Sequence, residues 1–192
     1  MSTFEFAVIP LSIVVGLGIA RLLSALASLV EHRDKVRFDA LTLVWVANAM
    51  LFHIFFWWVV VGNARAFEEW SLAAFLVLFA WAMVMFFAAA LILPSTAAAG
   101  CDLRDRYESI RRPFFALMAA TPAIDVTDSL LKGGIDRILN VLGPTYIVAM
   151  MGLALFGIAA MRTADRRLHW IGAIAGFAGL LGTFVTGWSV LR

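Results

Sequence analysis

Charge is what this 192-residue chain has least of: Asp, Glu, Lys and Arg together make up 15% of it, against a hydrophobic fraction of 63%. A soluble domain carries about a quarter charged residues and about half apolar ones. So little polar surface cannot coat a chain of this size, which excludes an ordinary soluble fold and sends the excess apolar side chains to lipid. Cysteine is nearly absent. The lone Cys101 excludes an intrachain disulfide, and no CxxC or Cys/His spacing suited to a metal occurs. Histidine is scarce too. His53 falls mid-membrane and His32 and His169 at the cytoplasmic edge, so a haem held by a His pair within one chain is not expected. GxSxG, HExxH, GxGxxG and P-loop patterns are missing, as are low-complexity tracts and solenoid-length repeats. No cofactor and no metal site is predicted, and the chemistry leans away from an enzyme.

What is present is a succession of long apolar runs, with a mean hydropathy of +0.93. They predict an all-α polytopic transmembrane bundle, one domain over 1–192, with spans at about 6–30, 41–62, 70–93, 114–131, 138–161 and 168–191. Ala25-Leu26-Ala27 has the look of a signal-peptide cleavage site. The segment before the apolar run carries Glu5 and no Lys or Arg, however, and Arg21 interrupts the approach, so a retained first helix is expected. Trp45, Trp57 and Trp58 fall towards the ends of the second run, where interfacial aromatic belts sit. The third run has no charged, Asn, Gln or His side chain after Glu69, and is expected to be the most lipid-exposed helix.

The polar stretch 94–113 predicts a cytoplasmic loop. Within it Asp102/Arg106, Arg104/Glu108 and Glu108/Arg112 stand four apart, as in a short surface helix laced by weak ion pairs. The fourth run is the least regular, because Asp125 and Asp128 interrupt it at about 2.5–3.5 kcal/mol each if placed mid-bilayer. If it lies on the membrane surface instead, five spans remain. Pro144 is expected to kink the fifth run or delay its start.

Basic residues orient the chain. With six spans, Arg33, Lys35, Arg37, Arg104, Arg106, Arg111, Arg112, Arg162, Arg166 and Arg167 share one side, opposite Arg65, Lys132, Arg137 and Arg192. That ten-to-four bias puts both termini outside the cytoplasm. Five spans give the same tally but export the compact cluster Arg162, Arg166 and Arg167, which favours six. The basic residues therefore read as orientation signals, and no nucleic-acid partner is expected.

Two kinds of residue stand out inside the runs. Small residues recur every four along the first helix (Ser12, Gly16, Ala20, Ser24 and Ser28). The sixth carries two such rows, one of Ala175, Gly179, Thr183 and Gly187, the other of Gly172 and Gly176. Such rows let helices approach closely. They suit a homo-oligomer or another membrane subunit, or packing within the bundle, with the first and sixth helices against each other as the favoured reading.

Polar residues at membrane depth are the candidate site. His53, Asp125 and Asp128 form an expected outer tier, with His53 and Asp125 differing in height by about 5 Å. Arg21 and Asn48 form an inner tier. Thr121, Asp125, Asp128 and Lys132 stand four, three and four apart, one stripe on one helix face, with Asp128 and Lys132 able to pair. The bland alternatives are that Arg21 snorkels, that Asn48 bonds across helices for stability, and that Asp128 and Lys132 mark the water boundary.

Phe4-Glu5-Phe6, the segment Gly16-Leu17-Gly18-Ile19-Ala20-Arg21-Leu22-Leu23 and Trp57-Trp58 resemble a group of uncharacterised bacterial multi-pass membrane proteins, mainly over the first two helices. The resemblance implies a bacterial inner-membrane location and no activity. The functional expectation is transport or sensing of a small solute, proton or cation through the polar site. An accessory or assembly subunit is the alternative, and a lipid-modifying enzyme using Asp125 and Asp128 the third reading.

Overall fold

A computed structural model describes residues 3–66, 71–95 and 101–187, with side chains described for 7–61, 71–95 and 101–185. The described residues are helical, with no strand, in six helices: α1 (Thr3–Glu31), α2 (Ala40–Ala66), α3 (Leu72–Ile92), α4 (Leu103–Asp136), α5 (Gly143–Arg162) and α6 (Arg166–Gly187). Five helical stretches are long and apolar enough to cross a membrane, and Leu103–Arg162 counts as one of them, 60 residues long. Straight, that run would reach ~90 Å, three times a bilayer's ~30 Å hydrocarbon core. Instead it folds back. Gly133 and Gly134 break α4, a π-helical turn spans Arg137–Leu142, and α5 returns alongside α4. The side chains of Arg65, Glu69 and Arg192, and the surroundings of Gly187, lie outside the described residues.

Helix starts follow local chemistry. Asp39 accepts from the Thr42 amide at 3.1 Å, Ser71 from the Ala74 amide at 3.1 Å, and Asp102 from the Arg104 amide at 2.8 Å. Each carboxylate or hydroxyl thereby satisfies a backbone N–H that has no partner within its own helix. Pro144 sits in the first turn of α5, where its missing N–H costs nothing, so it starts the helix late rather than kinking it.

Packing departs from several expectations. α3 has the largest buried share of the spanning helices, and α5 and α6 are the exposed ones. Ala74, Ala82, Ala88 and Ala89 make one side of α3 slim, and α1 and α4 close on that helix. Absence of polar side chains therefore marked a central helix, not a peripheral one. Trp45 is buried at 3% exposure, stacked edge-on against Phe114 and Phe115, and forms no interfacial belt. Trp57, by contrast, is exposed.

α4 begins at Leu103, well before the span expected from 114. Leu103, Tyr107 and Ile110 are buried, so the stretch read as a surface helix is the amphipathic first part of α4. Of its three expected ion pairs only Arg104–Glu108 forms among the described residues, at 3.4 Å and exposed. Arg106 instead reaches the Leu91 carbonyl, and Asp102 caps its helix and lies 3.7 Å from Arg37.

α1 buries Leu11, Val15, Gly18, Leu22, Ala25 and Leu29, at alternating steps of four and three, against α3 and α2. Its small-residue row lies elsewhere: Gly16, Ala20 and Ser24 are exposed. Among the described residues α6 packs on α2, and the expected packing of α1 along α6 is not seen. The second row of α6 does work inside the bundle. Gly172 receives the Phe156 ring, and Gly176 faces the Asn48 amide. Ala175, Gly179 and Thr183 are exposed.

Candidate functional site

The five residues expected to form two tiers are not brought together by hydrogen bonds, and each finds its own partners. Arg21 donates to the Leu93 carbonyl at 2.9 Å, closing the C-terminus of α3. Asn48 donates to Val44 on its own helix and to Ala173 on α6, both at 3.0 Å, and so pins α2 to α6. His53 bonds through Nδ1 to the Ala49 carbonyl at 2.7 Å. A carbonyl only accepts, so Nδ1 carries the proton, and the buried Nε2 is an acceptor with no partner, directed at Gly18 of α1. These contacts are structural in character, because each ties a side chain to backbone.

The acidic stripe of α4 is different. Thr121 turns back to the Met118 carbonyl at 2.7 Å, but the residues beyond it engage other side chains. Tyr146 of α5 donates its hydroxyl to Asp125 at 2.6 Å. Since that proton is committed, Ser129, 3.3 Å from the same oxygen, is the donor to Tyr146. One turn further along, Lys132 donates to Asp128 at 2.5 Å. The lysine and aspartate side chains are only 5% and 7% exposed, and Asp128 Oδ1 is buried without a hydrogen-bond partner.

Two features of the chain assemble this cluster. At Gly157 a Cβ would lie 2.8 Å from Ala119 Cβ and 3.0 Å from its Cα, so only glycine lets α5 lie this close to α4. The turn at 133–143 then reverses the chain and returns Tyr146 to Asp125, 21 positions earlier. Asp125 also lies within electrostatic reach of Asp128, Lys132 and Arg137. Two acids and two bases balance, leaving no surplus of negative charge to draw in a multivalent ion. Among the described residues no group of three His, Cys, Asp or Glu side chains converges as a metal site would need. What the arrangement suits is proton exchange: one group joins a carboxylate, a phenol and a hydroxyl, and beside it a second joins a carboxylate and an amine.

Tyr146, Ser129 and Gly157 were not singled out from sequence. A signal existed for the tyrosine. The chain has 2 tyrosines beside 16 phenylalanines, so a phenol is kept only where its hydroxyl is used. The other, Tyr107, is buried and bonds His169 Nδ1 at 2.8 Å.

No family model, curated protein or solved structure matches this chain.

Proposed function

We propose that this is a bacterial inner-membrane protein that crosses the bilayer six times, with both termini outside the cytoplasm, and binds and hands on protons at the α4–α5 hairpin. The fold-back of the 60-residue run supports two crossings there. The basic residues at the joined ends of α1 and α2, α3 and α4, and α5 and α6 support the orientation. The inner-membrane location rests on the resemblance of the first two helices.

One observation carries the functional reading: the buried Asp128 Oδ1 has no donor while its sister oxygen is held by Lys132. A desolvated carboxylate oxygen without a partner is costly, and a proton relieves that cost directly. Asp125, with Tyr146 and Ser129, supplies the neighbouring group to which a proton passes.

The test is proton flux. Protein reconstituted in liposomes with an entrapped pH dye, driven by a potassium diffusion potential, should acidify or alkalinise the lumen faster than empty vesicles. Asp128→Asn and Asp125→Asn should each remove most of that rate. Equal flux in both variants, or none from the unmodified protein, rejects the reading.

A second reading is an accessory subunit that docks another membrane helix, or a second copy, on α1. It is favoured by the exposure of Gly16, Ala20 and Ser24, where a Cβ at Gly16 would meet nothing within 4 Å. Co-purification with a larger partner in mild detergent would support it, and isolation as a lone monomer would count against it.

A further inference from the structure

The connection between α4 and α5 does not have the side chains of a solvated loop. Ile135, Leu139 and Val141 are 61%, 53% and 68% exposed, while Asp136 and Asn140 are also exposed and bond to each other at 2.5 Å. Gly134 (φ 63°) and Gly143 (φ 74°) bracket the segment. That left-handed region suits glycine, so the chain turns sharply at both ends and the piece between them is a separate short helical turn. It is anchored on the inside by Ile138, which is buried. Because α4 and α5 are packed side by side, the segment is held at the end of the bundle remote from the basic loops.

We propose that residues 133–143 form an interfacial segment, with Leu139 and Val141 seated in the acyl boundary of the leaflet at that end and Asn140 and Asp136 facing the headgroups. The occupant of the apolar face is lipid, and continuity says why. Exposed apolar side chains lie on the helices either side of the segment as well as in it: Leu130 and Leu131 on α4, then Ile135, Leu139 and Val141, then Val148 and Met151 on α5. The helix faces before and after the segment are lipid-facing, and the segment extends that surface while adding a polar edge. Apolar and polar residues side by side on a short helical turn are what a headgroup boundary selects. The inference rests on the membrane-spanning helices and not on proton binding.

The test uses single nitroxide labels at Leu139, Asn140 and Val141 in a Cys101→Ser background, on full-length protein reconstituted in liposomes. All three positions are exposed, so the label displaces no packed side chain. Collision with dissolved oxygen, which concentrates in lipid, is compared with collision with a water-soluble nickel chelate. The expected result is oxygen dominating several-fold at 139 and 141, with the chelate favoured at 140. Chelate dominance at all three positions, as for a solvated loop, overturns the proposal. Exclusion of both reagents at 139 and 141, as in a contact between copies, overturns it equally.

Discussion

The close approach of α1 to α2 offers a sharp perturbation, Gly18→Ala. An alanine Cβ at Gly18 would stand 2.2 Å from His53 Nε2 and 2.8 Å from Cδ2, well inside any tolerable contact. The ring must retreat by more than about an ångström to reach ordinary van der Waals separation. It has nowhere free to go: His53 is 1% exposed, and its Nδ1 is tied to the Ala49 carbonyl at 2.7 Å. Swinging the ring sacrifices that bond, about 0.5–1.5 kcal/mol. Lifting α1 off α2 instead loosens the cluster of Leu11, Val15 and Phe56, an overpacking cost of about 1–3 kcal/mol. Against this, replacing a mid-helix glycine gains about 0.8–1.0 kcal/mol of helix propensity. With the ring hemmed in, overpacking governs, and the net expectation is a loss of roughly 0–2 kcal/mol.

Gly16→Ala is the control, because it makes the same change on the same helix into open space. It should be neutral or stabilising by up to about 1 kcal/mol. The assay is equilibrium unfolding in mixed micelles of dodecyl maltoside and SDS, followed by far-UV circular dichroism. His53→Ala removes the ring that the new methyl strikes, so the double variant should recover most of the Gly18→Ala loss, a coupling of roughly 0.5–3 kcal/mol. If Gly18→Ala matches Gly16→Ala, or if the two sites are additive, the close contact does not govern this interface.

The buried ion pair predicts an asymmetry. Lys132→Met leaves the buried Asp128 carboxyl group without its partner and should cost about 3–5 kcal/mol, whereas adding Asp128→Asn should restore most of that, as read from the same unfolding curves. Arg111 donates to the carbonyls of Ala160 at 3.1 Å and Met161 at 3.3 Å, and also to Thr163. All three bonds leave one nitrogen, Nη1, so Arg111→Met removes them together, and a loss of about 1.5–3 kcal/mol and faster proteolysis at 162–165 are expected. Asp39 predicts a pH dependence. Burial by itself would raise its pKa, but hydrogen bonds from the Thr42 hydroxyl and amide and from Arg166 outweigh burial and hold it below the usual carboxylate range. A group depressed in the folded state stabilises fully above its unfolded pKa of about 3.9 and loses that contribution as pH falls through the lower folded value. Titrating stability down through that window should show a decline that Asp39→Asn abolishes, whereas the same slope in both proteins would clear Asp39 of the effect.

Helix existence was legible because hydrocarbon demands runs of about twenty apolar residues, and such runs are plain in α1, α2, α3 and α6. Which face packs was not legible. An all-apolar helix such as α3 shows no amphipathic stripe, so nothing in its pattern distinguishes a central position from a peripheral one. Trp45 misled for a related reason: depth along the helix was right for a belt, but its rotation about the axis points it at Phe114 and Phe115. The acidic stripe of α4 was legible as one face, from steps of four and three. Its partner was not, because Tyr146 reaches Asp125 only through the turn at Gly134 and Gly143, and no local periodicity records a reversal of direction.

Basic residues at the loop end of the bundle serve two purposes that a charge count merges. Arg37, Arg104, Arg112, Arg162 and Arg167 are exposed, free to meet water and headgroups. Arg106 and Arg111, like Arg21, spend their guanidinium groups on the terminal carbonyls of α3 and α5, and Arg166 reaches Asp39 at the head of α2 at 2.6 Å. Helix C-termini present partial negative charge and carbonyls with no intrahelical donor, so arginine there is favoured whatever the orientation of the chain. The same distinction separates the polar residues at membrane depth. Arg21, Asn48, His53 and Thr121 each bond a backbone carbonyl, completing main-chain hydrogen bonding or fastening one helix to another. Asp125, Tyr146 and Ser129 bond through their side chains, and Asp128 bonds Lys132. Bonds to backbone are fixed by the fold, but bonds among titratable side chains can be redistributed by moving a proton without moving a helix. Among the described residues that second kind joins α4 to α5 here, and α4 to α6 at the loop end, where Tyr107 meets His169.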